Sequence, residues 1–393
     1  MRALAALVLV FASGTASAAL EVSDWVPPAR APASQPNVAV GIDGTLHVTW
    51  IERDGAGHRL QHATFADAKF APASTIARGA DWFVNWADFP ALAATKDGLF
   101  AFWLARQGGG TYAYGLRVAH SGDGAQWSDA IVPHDASATE HGFAVFWPEP
   151  PGVGIAWLDG RATAGGEGHD HHGAMQLRTG RLDGALAMAN ERALDVRTCD
   201  CCQVDAALAG AGPVLAYRDR SDDEVRDIVV RRRVAGEWSS PMAVFADGWK
   251  TEACPVNGPA IAARGNDVYV AWFTQAGGVP RVRLARSRDG AATFEPPIDL
   301  AEGNALGRVD VAVDANGYVW TTWLTEDDRV QRLMIGRWDG ALARGKGRVL
   351  RELARGKATG FPRLAVHAGS AYVAWTEPRD GVPNVVGARV AVE

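Results

Sequence analysis

The stretch Pro36-Asn-Val-Ala-Val40, followed by Gly44-Thr-Leu-His-Val-Thr-Trp50, recurs along the chain. Two clear copies are Pro259-Ala-Ile-Ala-Ala with Asp267-Val-Tyr-Val-Ala-Trp272, and Pro362-Arg-Leu-Ala-Val with Ala371-Tyr-Val-Ala-Trp375. Each copy joins an apolar stretch, a turn, and an alternating apolar segment that ends on an aromatic residue. This alternation, rich in Val and aromatic residues, predicts β-strands.

The aromatic residue that ends each copy recurs seven times, as Trp50, Trp103, Trp157, Tyr217, Trp272, Trp323 and Trp375. The successive intervals are 53, 54, 60, 55, 51 and 52 residues. One small sheet cannot bury both of its faces alone, so such copies must stack into a closed ring. The pattern predicts an all-β chain forming a single β-propeller of seven four-stranded blades, or six if one copy is degenerate. A many-stranded sandwich fits such regular copies poorly.

The seventh copy ends after its third strand, Val385 to Val392. The segment Leu20 to Val26 precedes the first copy and can supply the missing strand. We therefore expect residues 19–393 to form one propeller domain whose two termini close a single blade.

The first residues are typical of a secretory signal. Met1-Arg2 carries a positive charge, Ala3 to Ala12 is almost wholly apolar, and Ala16-Ser-Ala18 offers small residues for cleavage. The run is too short to cross a bilayer. We expect residues 1–18 to be removed, with cleavage after Ala19 as the second choice. The mature protein would then be periplasmic or secreted, and not an integral membrane protein.

Composition excludes some partners. Hydrophobic residues make up 48% of the chain and charged residues 21%, which is ample for a large core. The net charge of -6 gives no reason to expect nucleic acid or an anionic membrane surface as a partner. Four cysteines, an even number in an oxidising compartment, favour disulfides.

Two turns carry a family resemblance. Ser287-Arg-Asp-Gly-Ala-Ala-Thr-Phe294 resembles the Asp-box, S-x-D-x-G-x-T-W/F, and Ser121-Gly-Asp-Gly-Ala-Gln-Trp127 is a shortened copy. Gly180-Arg-Leu-Asp-Gly184 and Gly336-Arg-Trp-Asp-Gly340 look like eroded copies. In this turn the Asp caps the backbone and Gly takes a positive φ. The chain thus resembles the sialidase superfamily of Asp-box propellers.

The resemblance implies a propeller, while function depends on residues beyond the turn motif. Sialidases use a Tyr nucleophile paired with a Glu, and they hold the substrate carboxylate with three arginines. The sequence alone shows no clear Tyr–Glu pair. The Arg-Ile-Pro element of sialidases is matched poorly by Pro28-Ala-Arg-Ala-Pro32, and sialidases usually have six blades.

In a propeller, the loops before each blade and those between its second and third strands open on one face. Arg53, Arg106 and Arg220 lie three residues after their anchor aromatics, and Arg161 lies four after Trp157. Guanidinium groups bind carboxylates through two hydrogen bonds. We therefore predict a ligand-binding funnel for an anionic glycan or small acid, formed by Arg53, Arg106, Arg161, Arg220, Asp159, Asp219, Trp86 and Tyr217. The alternative is that these arginines face solvent or are neutralised by Asp159, Asp219 and Glu224.

The cysteines cluster in the loops of the same face. Cys199 and Cys254 are 55 residues apart, as are Tyr217 and Trp272, so they occupy equivalent positions in neighbouring repeats. This spacing favours a Cys199–Cys254 disulfide with a Cys201–Cys202 bond beside it. Cys202–Cys254 with Cys199–Cys201 is the alternative. A redox site or a soft-metal site is the competing interpretation of these cysteines.

The longest loop contains Gly168-His169-Asp-His171-His172-Gly173. Imidazoles at this density bind copper or zinc, and His141 with Cys199, Cys201, Cys202 and Cys254 would enlarge the site. A solvated loop with adventitious metal affinity is the alternative.

Three functions follow from these patterns. The first is an exported propeller that binds an anionic glycan or small acid. The second is an exo-glycosidase of sialidase type, which requires a buried Tyr–Glu pair beneath arginines. The third is a non-catalytic propeller that binds copper or zinc or docks another protein.

Overall fold

The structure, a computed structural model, describes residues 20–108, 110–164 and 173–392. These residues form seven β-sheets, and their helices are two short 3-10 turns at Arg161–Thr163 and Ala276–Gly278. The predicted all-β propeller of seven blades is confirmed. Among these residues no helix is long and apolar enough to span a membrane.

The strands, in chain order, have the following bounds. The first part of the chain holds β1 (Leu20–Asp24), β2 (Ala33–Val40), β3 (Leu46–Asp54), β4 (Gly57–Ala66), β5 (Lys69–Phe70), β6 (Ser74–Gly79), β7 (Ala91–Thr95), β8 (Gly98–Arg106), β9 (Tyr114–Ser121), β10 (His141–Pro148), β11 (Val153–Asp159), β12 (Gln176–Leu182) and β13 (Met188–Asp195). The second part holds β14 (Asp205–Ala209), β15 (Gly212–Arg218), β16 (Ile228–Val234), β17 (Glu237–Trp238), β18 (Met242–Ala243), β19 (Ala260–Arg264), β20 (Asp267–Thr274), β21 (Arg281–Ser287), β22 (Ile298–Glu302), β23 (Ala305–Val313), β24 (Val319–Glu326), β25 (Gln331–Trp338), β26 (Gly345–Leu353), β27 (Arg363–His367), β28 (Ser370–Arg379) and β29 (Val382–Val392).

Blades 1 to 6 follow one another along the chain as β2–β6, β7–β9, β10–β13, β14–β18, β19–β22 and β23–β26. Blade 7 is β27–β29 together with β1, which pairs antiparallel with β29 from Leu20↔Val392 to Asp24↔Ala388. The N- and C-terminal strands therefore lie in one sheet. The innermost strand of each blade contacts the innermost strands of both neighbouring blades, so the ring is closed.

Blade 2 departs from the predicted four strands. Its fourth position is a single antiparallel bridge, Val118↔Ile131, on the outer side of β9. Pro133 follows Ile131 by two residues and has no N–H to donate, so the ladder cannot continue there.

Each pair of adjacent blades encloses its own apolar cluster, which makes seven clusters in the described residues. Every anchor aromatic lies on the second strand of its blade, is buried, and packs against the preceding blade. Trp272, for example, packs between blades 4 and 5 among Val214, Val230 and Val268. The repeat seen in the sequence is thus the repeat of the blade interfaces.

Carboxylates on the inner strands also join adjacent blades. Asp205 Oδ2 accepts a hydrogen bond from the Ile261 N–H at 2.8 Å, and Asp310 Oδ2 accepts one from the Leu364 N–H at 2.8 Å. Asp88, in the loop before β7, accepts one from the Phe143 N–H of the next blade at 3.0 Å. Asp88 and Asp205 line the central channel.

Candidate active site at the mouth of the channel

The loops that precede the blades and those that follow their second strands do lie at one end of the propeller. In blade 3, for instance, His141 at the start of β10 is paired with Asp159 at the end of β11. Side chains from distant parts of the chain therefore meet on this face, as the repeat predicts.

Three side chains meet between blades 2 and 3. The Tyr114 hydroxyl, at the start of β9, lies 2.8 Å from Asp88 Oδ2 and 2.7 Å from Glu140 Oε1. Tyr114 and Asp88 are 1% and 2% exposed, and Glu140 is partly buried. The Tyr114 ring is fixed by Phe83, whose ring lies parallel to it at a centroid distance of 3.8 Å.

This cluster contains more acceptors than one hydroxyl can serve. A phenol has one proton to donate, so it cannot donate to Asp88 and Glu140 at once. Both contacts are hydrogen bonds only if one carboxyl group is protonated and donates to the Tyr114 oxygen. The geometry therefore indicates that the two carboxyl groups share one proton.

The electrostatics agree with a protonated carboxyl group. Burial raises the pKa of Asp88 to about 7, although the Phe143 N–H and the Tyr114 hydroxyl lower it. Burial raises the pKa of Glu140 to about 8, against the Tyr114 hydrogen bond and with the charge of Asp88 adding to the rise. Burial and the two carboxylates also raise the pKa of Tyr114. Groups with such shifted pKa values at a cleft are candidates for acid–base catalysis.

The distance between the two carboxyl groups bears on the chemistry. Since both lie on one hydroxyl, at 2.8 and 2.7 Å, their contacting oxygens are at most 5.5 Å apart. Glycosidases that retain anomeric configuration hold their two carboxyl groups about 5–5.5 Å apart, whereas inverting enzymes need roughly 6.5–9.5 Å. The Asp88–Glu140 separation is therefore shorter than inverting enzymes need.

The sequence analysis did not identify this cluster. Its three residues lie at the ends of loops that it placed on the functional face, but nothing in the repeat marks them as partners. One pattern in the sequence could have identified them: two neighbouring loops each contain an acidic residue, Asp88 and Glu140, and Tyr114 begins the strand between these loops.

The predicted arginines have unequal surroundings. Arg161 is paired with Asp159, Asp135 and Glu191, and Arg220 is paired with Glu224 and Asp200. Two of the four guanidinium groups are therefore neutralised by carboxylates, which is the alternative that the sequence left open. Arg53 is exposed, and its Nε donates to the Gly55 carbonyl.

Arg106 is different because it lies beside the cluster. It is the register partner of Tyr114, and its guanidinium carbon lies 5.6 Å from the centre of the Phe83 ring that stacks on Tyr114. It is exposed and forms no ion pair with any residue that the structure describes. An exposed guanidinium beside the ring that stacks on Tyr114 suits an anionic group of a ligand.

The other predicted ligand-binding residues contact groups of the protein itself. Tyr217 is 1% exposed and its hydroxyl donates to Asp195 at 2.6 Å. Asp219 accepts a hydrogen bond from the Arg220 N–H. Trp86 is partly exposed and lies between Phe361 and the guanidinium of Arg308, which is 4.5 Å from the Trp86 ring.

The cysteines are bonded differently from both predicted schemes. Cys201 forms a disulfide with Cys254, and Cys199 and Cys202 are free thiols with their sulfur atoms 3.3 Å apart. The Cys199–Cys254 and Cys202–Cys254 pairings were therefore wrong. The Cys199 N–H donates to the Arg218 carbonyl, which turns the Cys199 side chain into the protein, while Cys201 lies nearer the surface.

The described part of the predicted metal site falls into two groups of possible ligands, Cys199 with Cys201 and Cys202, and His141 with His134 and Asp135. Cys201 and Cys254 offer no thiolate while they are bonded to each other. His141 is buried and lies near His134 and Asp135, but His134 uses both ring nitrogens, toward the Asp135 carbonyl and the Leu116 N–H. His169, His171 and His172 lie outside the described residues, so a copper or zinc site there stays a prediction.

No known family of sequences matches the chain, and no curated protein matches it. Among solved structures, polysaccharide lyase Uly1 is similar over 91% of this chain and 90% of its own, with a TM-score of 0.53 and 8% identity. The phage phi92 endosialidase is similar over 95% of this chain and 69% of its own, with a TM-score of 0.51 and 8% identity. At these identities the similarity concerns the fold alone: the chain shares the β-propeller fold of these two proteins.

Proposed function

We propose that this protein is an exported glycoside hydrolase whose catalytic groups are Asp88, Tyr114 and Glu140. The observation that carries the proposal is the Tyr114 hydroxyl held between the buried Asp88 and the partly buried Glu140, two carboxyl groups that share a proton. The pair Tyr114–Glu140 is the combination that the resemblance to sialidases requires. The sialidase-like fold supports a glycan as the substrate class.

The roles follow from the geometry. The pKa values of the two carboxyl groups are close enough for the shared proton to lie on Asp88. In that form the ionised Glu140 accepts the proton of Tyr114, and the phenolate oxygen attacks the anomeric carbon of the sugar. Asp88, which lines the channel and has a pKa of about 7, donates its proton to the oxygen of the leaving group. Water then enters and Asp88 takes a proton from it as the water oxygen bonds to the anomeric carbon. The bond between the sugar and Tyr114 breaks, Glu140 returns its proton to the Tyr114 oxygen, and the anomeric configuration is retained overall.

Arg106 supports an anionic sugar as the substrate. It is the guanidinium next to Tyr114 that no described carboxylate neutralises, whereas Arg161 and Arg220 are occupied. A carboxylate on the sugar would pair with it through two hydrogen bonds. Sialosides and glycosides of uronic acids are therefore the first substrates to test.

The test is hydrolysis of fluorogenic aryl glycosides by the mature protein, using a sialoside, a uronide and a neutral glycoside. Tyr114→Phe, Glu140→Gln and Asp88→Asn should each lower kcat at least 100-fold, the range for loss of a catalytic acid or base. Tyr269→Phe is the matched control, because it also removes a buried hydroxyl, one that donates to the Gly340 carbonyl elsewhere in the fold. Arg106→Ala should raise KM for the anionic substrates and leave the neutral one unchanged.

Two outcomes would contradict the proposal. Hydrolysis that survives in Tyr114→Phe would remove Tyr114 from the mechanism. A folded wild-type protein that binds an anionic sugar but hydrolyses none of the three substrates would instead support the binding function predicted first from the sequence.

A further inference from the structure

A second cluster on the same face has no part in the proposed hydrolysis. Cys199 and Cys202 are buried free thiols, 1% and 2% exposed, with their sulfur atoms 3.3 Å apart. Above them Cys201 and Cys254 form a disulfide that joins the loop before blade 4 to the loop before blade 5. Cys201 is partly exposed and Cys254 is exposed. Two buried thiols thus lie beneath a disulfide at the surface.

The sulfur atoms are close enough to exchange bonds. Those of Cys199, Cys201 and Cys202 all lie within 4.8 Å of one another. Cys199 and Cys202 also have the C-x-x-C spacing of dithiol redox sites. A thiolate at Cys199 therefore has two neighbours, a thiol at Cys202 and a disulfide sulfur at Cys201.

The surrounding charges favour a thiolate at Cys199. Arg218 and Arg226 are each 2% exposed, and Arg226 Nη1 lies 3.4 Å from Cys199 Sγ. The guanidinium of Arg218 bonds only to backbone carbonyl groups among the described residues. Buried charges need a partner of opposite sign, and the Glu224 carboxylate beside Arg226 is shared with Arg220. An anionic sulfur supplies the missing negative charge.

The local environment also lowers the pKa of the Cys199 thiol. Burial alone would raise the pKa of its thiol, but the hydrogen bond from Cys202 and the charges of Arg218 and Arg226 outweigh it and lower the pKa to about 6. Burial and the neighbouring thiolate raise the pKa of Cys202, which stays protonated. The pair is therefore one nucleophile and one proton-holding partner, the division of roles found in dithiol redox sites.

We propose that the four cysteines form a dithiol–disulfide relay, in which the buried Cys199–Cys202 pair reduces the surface Cys201–Cys254 disulfide. The surface pair, once reduced, would pass its electrons to an external disulfide. This activity is independent of the proposed hydrolysis, because it uses neither Tyr114 nor its two carboxyl groups.

The transfer takes two steps. In the first, the Cys199 thiolate attacks Cys201 Sγ, a Cys199–Cys201 bond forms, the Cys201–Cys254 bond breaks, and Cys254 leaves as a thiolate. In the second, Cys202 gives its proton to Cys254 and attacks Cys199 Sγ, which releases Cys201 as a thiolate. One dithiol is oxidised and one disulfide is reduced, so two electrons, one proton and one negative charge are conserved.

The exposed position of Cys254 lets the relay react with a disulfide in solution. It is the exposed end of the surface disulfide, so the released thiol can attack a small disulfide such as hydroxyethyl disulfide in solution. That attack breaks the S–S bond of the external compound and leaves the Cys201–Cys254 disulfide and two small thiols. The buried pair would then remain as the Cys199–Cys202 disulfide until an external dithiol reduces it.

The relay can be trapped with the full mature protein. The protein is brought to one disulfide and two thiols per chain in a dithiothreitol buffer, desalted without oxygen, and treated with N-ethylmaleimide. Non-reducing tryptic digestion at low pH then separates residues 198–218, which hold three cysteines, from residues 251–264, which hold Cys254. We expect maleimide on Cys254 and an internal disulfide in residues 198–218, since exchange exposes Cys254 while Cys199 and Cys202 are buried.

Two variants separate the steps. Cys199→Ala removes the attacking thiolate, so the two peptides should stay linked and Cys254 should stay unlabelled. Cys202→Ala allows only the first step, so Cys254 should be labelled and a Cys199–Cys201 disulfide should accumulate. If Cys199→Ala does not fold, as judged by its melting transition, the mass of the Cys202→Ala intermediate decides alone. Maleimide on Cys199 or Cys202 with the peptides still linked, or a wild type that is not labelled before denaturation, would overturn the relay.

Discussion

Arg161 and Asp159 are joined by two hydrogen bonds, from Nε to Oδ1 at 2.7 Å and from Nη2 to Oδ2 at 2.8 Å. Asp159 is fully buried, and Trp157 Nε1 also donates to it at 2.7 Å. Arg106, at nearly the same place in the preceding repeat, has no such partner among the described residues. The repeat thus predicts where an arginine lies on the ring but not which group faces it.

This difference predicts two different mutational effects. Arg161→Met should lower the free energy of unfolding by about 2 kcal/mol, because the buried Asp159 carboxylate loses its charged donor. Arg106→Met should change the free energy of unfolding by less than about 0.5 kcal/mol, because the Arg106 side chain is exposed and has no ion pair among the described residues. Urea unfolding of both variants measures the contrast. Equal losses would mean that Asp159 does not depend on Arg161.

The fold was predictable from the sequence because each anchor aromatic fills one interface between blades. Seven interfaces of one kind need seven similar residues at a nearly constant interval, and that regularity is visible without a structure. The cluster of Asp88, Tyr114 and Glu140 has no such regularity. It depends on how two loops of different length bend, and spacing along the chain does not encode that.

The cysteine pairing shows the same limit. Equal spacing placed Cys199 and Cys254 at equivalent positions, and the loops that carry them are indeed neighbours. Which of three nearby cysteines faces Cys254 depends on the direction of single side chains within a tight loop. The buried Arg226, which contacts Cys199, was not distinguishable from the other charged residues around it.

The shared proton predicts a pH dependence of stability. The pKa values of Asp88 and Glu140 are raised in the folded protein, to about 7 and about 8. The two protonated carboxyl groups therefore contribute fully to the free energy of unfolding below about pH 4. This contribution is lost as the pH rises through 7 and 8 and the groups ionise in the folded protein. In the double variant Asp88→Asn/Glu140→Gln the neutral amides keep the shape of the protonated acids and do not ionise.

We expect the melting temperature of the double variant to match that of the wild type near pH 4 and to exceed it at pH 8.5. Scanning calorimetry of both proteins across this range provides the difference, in which the titration of all other groups cancels. A difference that stays constant with pH would show that neither carboxyl group is protonated in the folded protein near neutrality.

The anchor aromatics predict a large loss of stability on truncation. Trp272 is fully buried between blades 4 and 5, and its Nε1 donates to Asp247 at 2.7 Å. Trp272→Ala should lower the free energy of unfolding by about 4 kcal/mol, the typical cost of removing a buried Trp. Tyr112→Ala, at a residue that is 61% exposed, is the control and should cost less than about 0.5 kcal/mol. Chemical denaturation monitored by circular dichroism tests both, and similar losses would contradict the proposed role of the anchors.

The closing strand β1 leads to the last prediction. Leu20 to Asp24 pair with β29 and form the outer edge of blade 7, and Arg348 Nη1 donates to the Leu20 carbonyl at 2.9 Å. Trp25, directly after β1, packs against Phe65 and Tyr372 in the core between blades 7 and 1, so the chain is anchored just beyond the strand. Removing residues 1–24 should therefore preserve the core contact but leave one side of β29 unpaired, so that β29 becomes the edge strand of blade 7. An unpaired edge strand recruits other chains, so this truncated protein should melt earlier than one that begins at Ala19 and should form larger species as its concentration rises.

Size-exclusion chromatography at several concentrations, with the protein that begins at Ala19 as control, measures the effect. Identical elution and melting of the two proteins would show that β1 neither stabilises blade 7 nor protects its edge.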